Sequence, residues 1–377
     1  MAKKLRVAVI YGGRSGEHEI SLQSAASVVK HLDRSKYEVI PIAIDKQGRW
    51  LLNDLSLMDS SAKCLPIGEE SPNVVLPPHP SASAAEANLV PLQSGGASSH
   101  IDVVFPVMHG PLCEDGSIQG LLQLADLPFV GTGVLGSAVG MDKDVAKRLA
   151  RDAGIPIVPW VTAKKSKWQG DSHFYDAEVE KNLGFPCFVK PANLGSSVGV
   201  HKVKEKSALQ AALKDSFQYD TKVLIEKAIN AREIEVAILE NSQPGMPPMA
   251  STVGEIVPTH EFYSYESKYL DENGAVLKIP AAITPEQTKK VQELAQKTFV
   301  TLEGEGLARV DFFLDKVTGE FYLNEVNTMP GFTSISMYPK LWEASGISYS
   351  ELLTRLIDLA IARHQRNSAL TRDFHSS

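Results

Sequence analysis

The sequence predicts a mixed α/β and α+β protein, with an N-terminal open parallel α/β domain followed by a two-part α+β region. Three observations carry this. Leu5–Gly13 (LRVAVIYGG) is a near-continuous apolar run, the pattern of a parallel strand buried on both faces. Ile20, Ala25, Val28, Val29 and Leu32 then recur at helical spacing, and Tyr37–Ile44 reads as a second strand, completing a β-loop-α-β unit. From Pro186 onward short strands dominate and the strict alternation of strand and helix is lost.

Taken in order, residues 53–100 are rich in Ser, Ala and Pro, with weak periodicity, and read as an irregular surface excursion. Ile101–Val107 resumes the strand pattern, Gly116–Ala125 is helical, and Pro128–Gly131 is a short strand. Met141–Ala153 (MDKDVAKRLARDA) is a charged helix stopped by Gly154, with Pro156 beyond it. Pro186–Pro191 and Val198–Val203 are short strands bracketing ANLGSS, and Lys206–Phe217 is a helix. Strands follow at Val223–Ala228, Glu233–Glu240 and Ser251–Val257, then a loop-rich stretch Thr259–Gly274 and a helix Pro285–Leu302. Strands Leu307–Leu314 and Glu320–Val326 precede a closing helix Ser350–Arg363. The expected domains are 1–139, 140–230 and 231–377.

A net charge of −7 argues against a nucleic-acid or anionic-membrane surface, since either wants a basic field. It leaves room for a phosphate ligand, which needs only local positive charge. The three cysteines are widely spaced and form no CxxC pair, so neither a zinc site nor a disulfide framework is expected. The apolar run at the N-terminus is short and ends at Gly12-Gly13, unlike a secretory signal, and no stretch approaches the roughly 20 apolar residues of a membrane span. A cytoplasmic protein is the expectation.

The stretch Glu320–Ser336 (EFYLNEVNTMPGFTSIS) is unusual for a strand that only packs. It carries Asn324, Glu325 and Asn327 among its apolar residues, then a Pro-Gly turn and a run of hydroxyls. Glu325 and Asn327 are two apart, so they share a face, about 7 Å apart along the strand. Asp311 ends another strand, with Arg309 on its own face. Asp, Glu and Asn offer hard oxygens of the kind magnesium accepts alongside waters and phosphates.

Other stretches can hold an anion or a small polar ligand. Lys190 at a strand end precedes the Gly/Ser loop Ala192–Gly199, whose N–H groups and hydroxyls suit a phosphate. It is not a Walker A loop, because GxxxxGK[ST] is absent. Glu226-Lys227-Ala228-Ile229, with Glu233 seven residues after Glu226, ends a strand where an adenine edge and a ribose can be read. GGRSGEHEIS (Gly12–Ser21) fails the spacing of a dinucleotide loop, leaving Glu17, His18 and Glu19 at a strand end before a helix. His109 closes a second strand of the same domain, at the edge where open parallel sheets bind ligands. Phe262–Gly274 is aromatic, charged and turn-rich, a composition suited to folding over a ligand and excluding water.

Together and in this order, GGRSGEHEIS, HGPLCEDGSIQG, MDKDVAKRL, VKPANLGSSVGV, LIEKAINAREIEVAIL, FYSYESKY, ARVDFFL and YLNEVNTMPGFTSISMYPKLW resemble the D-alanine–D-alanine ligases of the ATP-grasp superfamily, over nearly the whole chain. The resemblance implies that the α+β region is a two-part ATP-grasp fold. The implied activity is ATP-dependent joining of two D-alanines through a D-alanyl phosphate, for peptidoglycan precursor synthesis. Cofactors would be ATP and two Mg²⁺ (or Mn²⁺), and the partner a second copy in a homodimer. By the same resemblance, Asp311, Glu325 and Asn327 would be metal ligands, and Arg309 with the N–H of Gly331 would stabilise the tetrahedral oxyanion. Ser336 and the N–H of Met337 would hold the second D-alanine's carboxylate. Lys143, Lys190 and Ser197 would belong to the ATP site, with Glu226, Lys227 and Ile229 around adenine, Glu233 on the ribose and Lys268 near the γ-phosphate. Glu17 would take the first D-alanine's ammonium, Ser196 and Tyr269 would bond to Glu17, and His109 would lie near the first substrate. In relatives that make D-alanyl-D-lactate the closing-loop tyrosine is replaced, so Tyr269 implies the dipeptide. Residues 53–100 are longer than in the shorter ligases of the family.

Overall fold

The computed structural model describes residues 3–57, 63–68, 70–80, 88–92, 100–258 and 275–371. The first sheet is built from β1 (Leu5–Gly12), β2 (Tyr37–Ile44), β3 (Trp50–Leu52) and β6 (Val103–Met108), in the order β3-β2-β1-β6. β1 runs parallel to both β2 and β6, and β3 is antiparallel to β2. Val7 to Tyr11 are all within 1 % of full burial, as the apolar run requires. Helix α1 (His18–His31) covers one face with Ala25, Val28 and Val29. Because Gly12 pairs with Met108, the loops that leave the carboxyl ends of β1 and β6 lie side by side. The excursion at 53–100 contributes one short ladder, β4 (Val74–Val75) with β5 (Val90–Pro91). Phe129 makes only a single parallel bridge to Val104, so the expected strand at 128–131 reduces to one residue pair.

Helices α2 (Ser117–Leu124), α3 (Val134–Met141) and α4 (Lys143–Asp152) follow. The sequence suggested one helix from Met141, but the chain breaks at Asp142. Its backbone is extended and its carboxylate accepts from the N–H groups of Asp144 and Val145, capping α4. The second sheet, β7 (Trp160–Lys164), β8 (Cys187–Pro191), β9 (His201–Val203) and β10 (Lys222–Lys227), is antiparallel in the order β7-β10-β8-β9. Helices α5 (Lys165–Gly170), α6 (Asp176–Asn182) and α7 (Leu209–Tyr219) accompany it, and its core includes Val179, Leu213 and Phe217.

The third sheet holds β11 (Ala231–Leu239), β12 (Met249–Pro258), β13 (Ala275–Lys278), β14 (Leu307–Asp315) and β15 (Phe321–Asn327), antiparallel in the order β13-β12-β11-β14-β15. One face packs on α8 (Pro285–Thr301), whose start is a reciprocal capping box between Thr284 and Gln287. The other meets α9 (Met337–Ala344) and α10 (Tyr349–Ser368) in a core that continues into α1 and the first sheet. The second and third sheets are stitched by the bridge between Ile157 and Leu323. No described helix is long and apolar enough to cross a membrane.

Candidate functional site

The oddity of β15 resolves into a β-bulge. Val310 pairs with Val326 and Asp311 with Glu325, but Phe312 pairs with Leu323, so Asn324 is the extra residue. Without it, Glu325 would share the face of buried Leu323. With it, Asn324 and Glu325 both leave the core while Leu323 and Val326 stay in. Glu235, Asp311 and Glu325 then stand side by side on three neighbouring strands, and Arg309 pairs with Asn327 one step along. Arg309 donates from Nε to Asp311 Oδ1 and from Nη2 to Oδ2, each at 2.8 Å, and its Nε lies 3.0 Å from Glu235 Oε2. Its Nη1 makes no hydrogen bond among the described residues. Burial alone would depress this guanidinium, but Asp311 and then Glu235 hold it well above its usual range, so it is a fixed cation. Asn327 donates from Nδ2 to Asp311 Oδ2 at 2.9 Å, which leaves its own carbonyl oxygen for a cation. Among the described residues no three His, Cys, Asp or Glu side chains are grouped to hold a metal. The donor set is instead two carboxylates and an amide, all hard oxygen, and it fits a magnesium-type ion that draws its other ligands from phosphate and water.

Against these carboxylates stand lysines of the second sheet and of α4. Lys143 Nζ lies 3.2 Å from Glu325 Oε2 and donates to the Leu194 carbonyl at 2.7 Å. Lys190 Nζ lies 2.8 Å from Glu226 Oε2 and 3.3 Å from Asn324 Oδ1. β10 is buried on both faces up to Glu226, and Lys227 at its end is exposed, while Ile229 and Glu233 are half-buried where β10 gives way to β11. Ser196 and Ser197 both adopt left-handed backbone in the loop between β8 and β9. Ser196 Oγ donates to the Glu17 carboxylate. The glycines around Glu17 have steric reasons: a Cβ on Gly110, at φ +80°, would sit 2.9 Å from Glu17 Oε2, and one on Gly195 3.3 Å away.

Sequence reasoning missed Glu114, whose Oε2 accepts from the Gly110 N–H at 3.2 Å. Burial, then the charge of Glu17, pushes its carboxyl well above the usual range. His109 is 4 % exposed and wired on both sides. Nδ1 donates to the Met329 carbonyl at 3.1 Å, so Nε2 accepts from Ser24 Oγ at 3.2 Å, and Ser24 in turn accepts from the Phe332 N–H. His109 therefore locks the β6 loop to the segment carrying Gly331. Burial holds it below its ordinary value of 6.5, although Glu17 pulls the other way. The unfolded chain then binds the extra proton first as pH falls below that value, so this stabilisation is complete above it and lost beneath it. The melting temperature is expected to fall between about pH 7.5 and 5.5, with a shallower slope in His109→Gln; equal slopes in both proteins would refute the role.

At the opposite wall, Ser336 Oγ accepts from the Thr333 N–H at 3.0 Å, directly before the first turn of α9, where Met337 is buried. A Cβ on Gly331 would lie 2.8 Å from that hydroxyl and would push it away from Thr333. Lys268 and Tyr269 lie outside the described residues.

An open parallel sheet with an acidic loop, joined to two antiparallel sheets that set lysines against carboxylates, is the ATP-grasp architecture of a carboxylate–amine ligase. Two family models match the chain, "D-ala D-ala ligase N-terminus" over residues 6–132 and "D-ala D-ala ligase C-terminus" over residues 149–358. D-alanine--D-alanine ligase A of Bradyrhizobium diazoefficiens is 55 % identical over 380 residues, covering 100 % of both chains, and that of Escherichia coli K12 is 48 % identical, covering 98 % of this chain and 99 % of its own. The solved D-alanine-D-alanine ligase of Coxiella burnetii superposes with a TM-score of 0.82 at 37 % identity over 97 % of each chain. The VanG D-Ala:D-Ser ligase of Enterococcus faecalis does so with a TM-score of 0.80 at 35 % identity, covering 95 % of this chain and 100 % of its own. The chain belongs to the D-alanine–D-alanine ligase family.

Proposed function

We propose that the chain joins two D-alanines at the expense of ATP, in the synthesis of peptidoglycan precursors, with the residues above in the following roles. A carboxylate oxygen of the first D-alanine attacks the γ-phosphorus, the bond to ADP breaks, and D-alanyl phosphate forms. The deprotonated amine of the second D-alanine attacks the carbonyl carbon, and the tetrahedral intermediate expels phosphate to leave the dipeptide. Lys143, Lys190 and Ser197 hold the phosphates, joined by Lys268; Glu226, Lys227 and Ile229 frame adenine, and Glu233 takes the ribose. Glu17 holds the first ammonium, tied down by Ser196 and Tyr269, with His109 behind it. Arg309 and the Gly331 N–H face the oxyanion, and Ser336 with the Met337 N–H takes the second carboxylate. Asp311, Glu325 and Asn327 would hold two Mg²⁺ (or Mn²⁺), which when bound neutralise charge on the transferring phosphoryl group. The working units are taken as 1–139, 140–230 and 231–377, in a cytoplasmic homodimer whose mass light scattering would check.

The observation that carries this reading is the meeting of Lys143 with Glu325 beside the Arg309–Asp311–Asn327 cluster. It puts cations for a triphosphate against oxygen donors for a metal. The experiment is phosphate release with ATP and Mg²⁺, with and without D-alanine, and mass spectrometry of the product. Release without dependence on D-alanine would overturn the proposal, and a D-alanyl-D-serine or D-alanyl-D-lactate product under competition would move the acceptor. Ser196→Ala is expected to raise the KM for the first D-alanine about 10-fold or more, the value of one hydrogen bond to a charged group; an unchanged KM contradicts the Glu17 assignment.

A further inference from the structure

One buried charge beside the site, Lys147, has no part in the reaction described above. Lys147 lies one helical turn beyond Lys143 on α4, so both lie on one face of the helix. It is 1 % exposed, among the most completely buried side chains of the protein. A lysine is rarely buried so far unless something fixed requires its charge. Its Nζ lies 3.0 Å from Glu226 Oε1, while Lys190 Nζ holds the other oxygen of the same carboxylate at 2.8 Å. Glu226 is itself 4 % exposed and Lys190 8 % exposed. Burial pushes the Glu226 carboxyl up, but the two ammonium groups, Lys147 foremost, bring it below its usual range. Lys147 is held below its own ordinary value by burial, against the pull of Glu226.

Two cations on one carboxylate is more than a structural ion pair needs. The excess becomes intelligible once a triphosphate enters, on the reading that Lys190 contacts phosphate. Lys190 then has to leave Glu226 or share itself. If it were the sole counter-charge, its departure would strand a buried carboxylate, and breaking a buried pair by removing one partner is strongly unfavourable. With Lys147 on the other oxygen, Glu226 stays compensated while Lys190 moves. Asn324, pushed out of β15 by the bulge, receives Lys190 at 3.3 Å on the side of the metal-binding carboxylates, so the ammonium already has a second partner in that direction.

We propose that Lys147 is a positioning residue for nucleotide binding: by holding Glu226 from the helix side it releases Lys190 to the phosphates. Lys147 touches neither substrate nor nucleotide. It acts on phosphate affinity through a carboxylate and a second lysine.

The test is calorimetric binding of ADP with Mg²⁺, and of adenosine, to the full chain and to Lys147→Met, Lys190→Met, Glu226→Gln and Lys147→Met/Glu226→Gln. In Lys147→Met the single remaining cation is held back by Glu226, so ADP affinity is expected to drop about 10-fold or more while adenosine changes by less than about threefold. Glu226→Gln itself alters the adenine pocket, so the double variant is compared with Glu226→Gln alone: with no carboxylate left to hold Lys190, adding Lys147→Met to that chain is expected to change ADP affinity by less than about threefold. A lysine that merely supports the fold would cost the same in both backgrounds. The proposal is overturned if Lys147→Met binds ADP normally, if it loses ADP and adenosine equally, or if it costs as much ADP affinity in the Glu226→Gln chain as in the unaltered one. Should Lys147→Met fail to fold, as judged by circular dichroism, Lys147→Gln takes its place with the same expected outcomes. Normal ADP binding by Lys190→Met would instead sink the phosphate assignment of Lys190 on which the inference rests.

Discussion

Glu325→Gln is expected to lower kcat by about 100- to 1000-fold. A unit charge about 4 Å from its partner counts for about 4 kcal/mol at an effective dielectric of about 20, and that is about a thousandfold in rate. The substitution keeps shape and removes charge where metal and phosphate would meet. The fold has little reason to respond. Glu325 is 23 % exposed at its side chain and gives up its ion pair to Lys143, so the melting temperature should move by no more than about 2 °C. The half-saturating Mg²⁺ concentration should rise together with the fall in kcat. Retention of activity within about tenfold of the original at saturating Mg²⁺ would remove Glu325 from the metal set, and with it the case for two ions.

Much of this site was legible because its residues break a local rule. Asn324, Glu325 and Asn327 interrupt an apolar strand, and Gly12-Gly13 and Gly110 end strands in turns that only glycine adopts easily. Motif order then supplied roles that spacing could not. The bulge at Asn324 left one mark on β15, the three-residue step from Leu323 to Val326 that breaks the two-residue step from Phe321 to Leu323, but which residue is extra depends on how β14 lies beside β15.

Lys147, Glu235 and Glu114 were missed for a different reason. Each is a charged residue whose buried setting is made by groups distant in sequence: Glu226 pairs with Lys147 and Arg309 with Glu235, while the charge of Glu17 and burial act on Glu114. Burial of charge is a property of the assembled sheets. The segment between Ala153 and Pro186 gave no firm pattern either, yet it supplies β7, the edge partner of β10. Trp160 to Lys164 alternate strictly, with Val161 and Ala163 buried, but the run is only five residues long. Helix α9 was hidden by the hydroxyl run before it and by Pro339 within its first turn, a place where proline costs a helix little.

Arg309 carries the second large expected effect. Its guanidinium is locked by two bonds to Asp311 and by Glu235, so its direction is set before any substrate arrives, and Nη1, which bonds to none of the described residues, is available for a developing negative charge. Arg309→Ala would take the guanidinium from buried Asp311 and Glu235, and removing one partner of such a buried pair costs about 3–5 kcal/mol of stability, so loss of activity there would be hard to interpret. Arg309→Lys keeps the charge and sacrifices the planar fork. A misdirected oxyanion donor is expected to cost about 100- to 1000-fold in kcat, with the KM for ATP changed by less than about threefold. The distribution of products separates this role from simple phosphate binding. If Arg309 serves the second step, the acyl phosphate still forms and is lost to water, so more ADP than dipeptide is released. An ADP-to-dipeptide ratio that stays at unity while only the KM for ATP rises would assign Arg309 to the triphosphate, and the tetrahedral intermediate would then rest on the Gly331 N–H alone.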